Sequence, residues 1–161
     1  IQHAEPIMVK GYAESEVFAD QGSLTVRISE KGDDNGEAYE KAGDSLERVR
    51  ALVDEVLGED LEMVELSSSL SETKKLNEKG NRTNEIEYVT ATRSLRVNSG
   101  KVEDLDRLSR KLYDLNGEGI RLTLSGPDFF VSHLNEVKID LMKRATKNGR
   151  YRADIMAKSS G

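Results

Sequence analysis

Apolar and polar residues alternate from Ile7, with Val9, Gly11 and Ala13 on one side and Met8, Lys10 and Tyr12 on the other. A period of two predicts a strand, running to about Phe18. Asp20-Gln21-Gly22 predicts a turn, after which Leu24, Val26 and Ile28 alternate with Thr25, Arg27 and Ser29. Two such runs around a short glycine-containing turn predict an opening β-hairpin. Asp33-Asp34-Asn35-Gly36 then stops the strand and offers capping side chains. The pattern changes here. From Glu37 to Leu57 the apolar positions Ala38, Ala42, Leu46, Val49, Val53 and Val56 follow steps of four and three, one face of an α-helix that Gly58 ends.

The same alternation of periods recurs. A strand is predicted from Leu61 to Lys75, a polar loop from Asn77 to Asn84, and a strand from Ile86 to Val97. Ser99 is the expected cap of a helix in which Val102, Leu105, Leu108, Leu112 and Leu115 share a face, ended by Asn116-Gly117. Ile120, Leu122 and Leu124 predict a fifth strand stopped by Gly126-Pro127, and a long helix runs from there to the end of the chain. The element order is ββα-ββα-βα, a duplicated ββα unit repeated in order but not in residues. It predicts an α+β fold, a two-layer sandwich with an antiparallel sheet covered by helices on one face. No linker-like stretch divides the chain, so residues 1–161 are expected to form a single domain.

The last helix carries a small residue at every fourth position: Ala145, Gly149, Ala153, Ala157 and Gly161. Residues four apart form one ridge on a helix, and a ridge of Ala and Gly admits a close neighbour. Successive ridge positions drift around the axis by about 40°. The early ones are therefore expected to meet the domain's own sheet or helices, and Ala157 and Gly161 further strands or a second subunit.

Composition narrows the chemistry. Apolar residues make up 36% and charged residues 34%, proportions that suit thin layers in which each helix wets one face. There is no cysteine, hence no disulfide, thiol chemistry or cysteine metal site. The only histidines are His3, near the terminus, and His133, at the start of the last helix, so a nucleophile–base pair and a zinc site lack their parts. Ser67-Ser68-Ser69 lies mid-strand without a nucleophile-elbow context and reads as a solvated strand face. Phosphate-binding glycine loops are absent, and no cofactor is expected. Asn81-Arg82-Thr83 fits the glycosylation sequon. No run reaches the roughly 18 apolar residues that cross a bilayer.

A net charge of −6 argues against general nucleic-acid binding, and no specific nucleic-acid partner is expected. Its distribution is uneven. The first helix carries Glu37, Glu40, Asp44, Glu47, Asp54 and Glu55, whereas the last carries Lys138, Lys143, Arg144, Lys147, Arg150, Arg152 and Lys158. Lys143, Arg144, Lys147, Arg150 and Arg152 are thus the candidate interaction surface, and a homo-oligomer joined by oppositely charged helices, or an unknown protein partner, is the expected use. Two solvated faces would look the same in sequence. A hydrolase or small-ligand enzyme working through carboxylates that no motif singles out stays open. So does binding of an anionic surface by the basic helix.

Two segments add a resemblance. Ile7-x-Val9-x-Gly11 with Val17-x-Ala19-Asp20 and Leu24-x-Val26-x-Ile28 resembles the opening hairpin of the SIMPL-domain family. Asn148-Gly149-Arg150-Tyr151-Arg152-Ala153-Asp154-Ile155-Met156-Ala157 resembles that family's alanine-every-fourth helix. Ala19 stands where the family usually has proline, and Gly149 where it has alanine. The chain stops at Gly161 where members continue, so C-terminal strands are expected to be missing. The resemblance implies an exported bacterial protein, periplasmic or envelope-associated, of mostly unassigned function. Some members are linked to oxidative-stress tolerance and some assemble into ring-like or channel-like oligomers. It implies no catalytic residues, no metal and no cofactor, and therefore a protein that is not an enzyme.

Overall fold

The computed structural model describes residues 11–159, which carry four strands and three α-helices. In chain order these are β1 (Gln21–Gly32), α1 (Asn35–Leu57), β2 (Glu62–Leu76), β3 (Arg82–Ser99), α2 (Val102–Asp114), a 3-10 turn at Leu115–Glu118, β4 (Leu122–Phe130) and α3 (Leu134–Ser159). Ala19–Phe130 form one compact unit; the described residues of 11–18 and 131–159 form a second.

The first unit is the α+β sandwich expected from the alternating periods. All strand pairs are antiparallel, in the order β2-β3-β1-β4. Even-numbered residues of β1, Leu24, Val26 and Ile28, are fully buried under α1 and α2. Strict alternation places their odd-numbered neighbours on the opposite, open face. The α1 stripe is buried along its whole length, from Ala38 through Leu46 and Val49 to Val56. Leu105, Leu108 and Leu112 of α2 complete the same core. Asp34 caps α1, its Oδ1 accepting the Glu37 N–H at 2.8 Å, and Gly58 ends it at φ 64°.

Several boundaries differ from expectation, each for a local reason. The opening strand predicted from Ile7 to Phe18 begins outside the described residues, and residues 11–18 carry no strand. Asp20-Gln21-Gly22 is not a turn, because Gln21 and Gly22 already pair with Phe130 and Phe129 of β4. Ser99 does not cap α2, since it is still paired with Gly22 at the end of β3. Its hydroxyl instead donates to the Asp60 carbonyl at 2.6 Å and accepts the Lys101 N–H at 3.0 Å. Asn116-Gly117 is passed by a 3-10 turn that ends at Gly119, φ 91°. Gly126-Pro127 does not stop β4, which runs on to Phe130. That strand is at the sheet edge, where a missing N–H is tolerated. Gly126 at φ 96° takes up a shift in register opposite Ser23–Thr25.

β2 and β3 outrun the sheet. β1 pairs with β3 only as far as Val89, so Arg82 to Tyr88 pair with β2 alone and form a two-stranded ribbon.

Candidate functional site

In the second unit the small-residue ridge finds its partner. Val137, Leu141, Ala145, Gly149 and Ala153 are the half-buried line of α3, while Ala157 is exposed and Gly161 lies outside the described residues. A Cβ placed on Gly11 would stand 1.7 Å from the Ala145 carbonyl oxygen and 3.1 Å from the Gly149 nitrogen. The Tyr12 N–H donates to Asn148 Oδ1 at 3.0 Å. The neighbour admitted by the low ridge is thus the chain's own N-terminal segment, backbone against backbone.

The rest of α3 is unusual. Over 26 residues it buries none, and it exposes Leu134, Ile139, Met142, Tyr151, Ile155 and Met156. Ile139, Met142 and Thr146 succeed one another at steps of three and four, which places them on one face. Lys143, Lys147 and Arg150 lie beside them at the same spacing. Ile139, Met142, Thr146, Lys143 and Lys147 border a depression of about 670 Å³, together with Asp140 and Arg144. Of the five predicted basic residues, Lys143, Lys147 and Arg150 fall on one stripe, and Arg144, beside Lys143 and Lys147 at the depression, pairs with Asp140 at 2.7 Å. Arg152 falls on the far side of the helix from Lys143, at a rotation of about 100° per residue.

The acidic helix presents a matching stripe. Glu40, Asp44 and Glu47 stand at steps of four and three on the exposed side of α1. Glu37 is tied to Lys41 at 3.0 Å and Glu47 sits 3.8 Å from Arg50. Glu40 and Asp44 make no ion pair among the described residues.

Other sequence candidates stay apart. His133 immediately precedes α3, its carbonyl accepting the Val137 N–H at 3.2 Å. Ser67, Ser68 and Ser69 are exposed on β2, Ser67 in a bulge between Glu65 and Ser68 and the other two paired with Arg93 and Thr92 of β3. Among the described residues no three His, Asp or Glu side chains gather to hold a metal ion, and no helix is long and apolar enough to cross a membrane.

Two arrangements escaped the sequence reading. Glu30 is in phase with Leu24, Val26 and Ile28 and is buried, its Oε1 accepting the Ser45 hydroxyl and the Arg121 main-chain N–H, both at 3.0 Å. The phase of the alternation was the available signal. Second, Glu65 joins the ribbon side of the sheet to α1. It accepts from Arg93 and, at 3.3 Å, from Arg50, and the Arg93 hydrogen bonds hold its carboxyl below the usual range against partial burial.

The chain matches the SIMPL family, described as a protein of unknown function (DUF541), over residues 7–161. No curated protein matches it. Solved structures with similar folds include a de novo designed protein, Foldit4, at 13% identity and TM-score 0.38, covering 65% of this chain and 93% of that one. A hydantoinase/carbamoylase family amidase from Burkholderia ambifaria aligns at 12% identity and TM-score 0.43, over 71% of this chain and 30% of the amidase. A putative aminohydrolase from methicillin-resistant Staphylococcus aureus aligns at 12% identity and TM-score 0.40, over 77% of this chain and 35% of that one. The chain thus spans about a third of the length of these enzymes, and likenesses this distant carry no argument about activity.

Proposed function

The chain belongs to the SIMPL family, and within it we propose a non-enzymatic envelope protein that acts by self-association. The observation that carries the reading is the exposed, amphipathic α3. A helix gains most of its stability in water by packing an apolar face, and α3 leaves Ile139, Met142, Ile155 and Met156 in solvent. Ile139 and Met142 stand three residues apart on one face, and exposed apolar surface rimmed by polar residues marks an interaction site.

The occupant is a second copy. Its α1 offers Glu40, Asp44 and Glu47 at the same helical steps at which α3 offers Lys143, Lys147 and Arg150. Like charges within each stripe repel, and pairing the stripes of two copies relieves both. Oppositely charged stripes set orientation and encounter rate, and the apolar residues beside them supply the affinity. An exported, periplasmic setting and a part in oxidative-stress tolerance belong to the same proposal and rest on the family resemblance.

A charge exchange tests the pairing. Lys143→Glu with Lys147→Glu should weaken association, as should Glu40→Lys with Asp44→Lys. Mixing the two variants should restore it. If neither double variant changes the solution mass, these stripes do not meet.

A further inference from the structure

The face of the sheet opposite α1 and α2 carries a second surface. Arg27 stands opposite Thr123 across β1 and β4, and the Ser29 N–H donates to the Arg121 carbonyl at 3.0 Å, one step along the same pair of strands. Since Ile28 and Leu122 point into the core, Arg27, Ser29, Arg121 and Thr123 share the opposite face. Arg27 and Arg121 are therefore diagonal neighbours, with Cβ atoms about 7 Å apart. Both border a groove of about 410 Å³ with Ser29, Thr123, Asn116 and Leu122.

The electrostatics are one-sided. In a chain of net charge −6, neither guanidinium makes an ion pair among the described residues, while Arg48, Arg50, Arg93, Arg107, Arg110 and Arg144 all do. The nearby carboxylate, Glu30, is spent on the Ser45 hydroxyl and the Arg121 main-chain N–H. Asn116 is likewise committed: its Oδ1 accepts the Leu122 N–H at 3.2 Å and its Nδ2 donates to the Tyr113 carbonyl at 3.2 Å, which fixes the groove wall. Among the described residues no acidic one borders the groove. What faces it is a set of donors: two forked guanidiniums with the Thr123 hydroxyl beside them, the Ser29 hydroxyl being shared with Thr92 at 3.3 Å.

We propose that this groove binds a small molecule through a phosphate dianion clamped between Arg27 and Arg121. Two guanidiniums match the charge and the several acceptor oxygens of a phosphate, and each can engage it through two parallel hydrogen bonds. A single anion also removes the repulsion between the two arginines. The volume leaves room for more than the phosphate, so the ligand class is a phosphate monoester of sugar size rather than the free ion.

The test is titration of the full chain with inorganic phosphate and, separately, a hexose monophosphate, at ionic strength matched with chloride. Backbone and arginine Nε–H signals are followed by NMR. The expected result is saturable shifts of Arg27, Ser29, Arg121 and Thr123, with the ester binding more tightly than phosphate. Arg27→Gln or Arg121→Gln should each weaken binding about tenfold, the loss of one charge-assisted contact. Both side chains are exposed, so thermal midpoints should stay put and folding is not in question. Equal affinity for the two ligands would overturn the ester assignment and leave an anion site. Non-saturating shifts, or shifts unchanged in the variants, would overturn the site itself.

Discussion

Gly11 lies against Ala145 so closely that any side chain at position 11 would collide with a helix carbonyl. The contact explains this glycine: Gly11 must lack a Cβ, which would meet the Ala145 carbonyl and stand 3.1 Å from the Gly149 nitrogen.

Gly11→Val should therefore dislodge the N-terminal segment from α3. The readout is hydrogen exchange at the Tyr12 amide, which now donates to Asn148. Protection should fall in Gly11→Val and, by about 0.5–1.5 kcal/mol for a lost hydrogen bond, in Asn148→Ala. Unchanged Tyr12 protection in both variants would refute the contact.

The sandwich core makes a separate prediction. Leu108 is fully buried between α2 and the sheet, so Leu108→Ala should cost about 2–5 kcal/mol by urea unfolding. Asp34→Ala, which removes only the α1 cap, should cost about 1 kcal/mol. A larger loss from the cap than from the core would contradict this packing.

Acid should act through Glu65. Arg93 hydrogen bonds depress its folded pKa, so its contribution is present above the unfolded value, about 4.3, and is lost as pH falls through the lower folded value. Arg93→Gln should flatten the fall in stability over that window, measured as urea midpoints from neutral pH downward. An identical acid limb in the variant would show that the pair contributes nothing.

Much of the sandwich could be read from periodicity. The α1 stripe from Ala38 to Val56 is buried as its steps of three and four require, and Leu24, Val26 and Ile28 are buried as alternation requires. Boundaries were harder where pairing outweighs local signals. Ser99 has the right chemistry for a cap, but strand pairing with Gly22 holds it two residues before the Lys101 cap position. Gly126-Pro127 reads as a stop, yet an edge strand with a register shift accommodates it. The basic residues of the last helix looked like one surface in sequence. Rotation by about 100° per residue puts Arg152 on the far side from Lys143, and Arg144 is taken up by Asp140. The Arg27–Arg121 groove depends on the register between β1 and β4, nearly a hundred positions apart in the chain, and no local pattern announces it.

Sedimentation velocity of the unaltered chain, over a range of protein concentration at low and high salt, tests self-association most directly. Paired stripes and an apolar contact predict a mass above that of the 17.9 kDa chain at micromolar concentration, falling as salt screens the charges over a Debye length of about 10 Å at 0.1 M. A strictly monomeric species at high micromolar concentration and low salt would contradict the account.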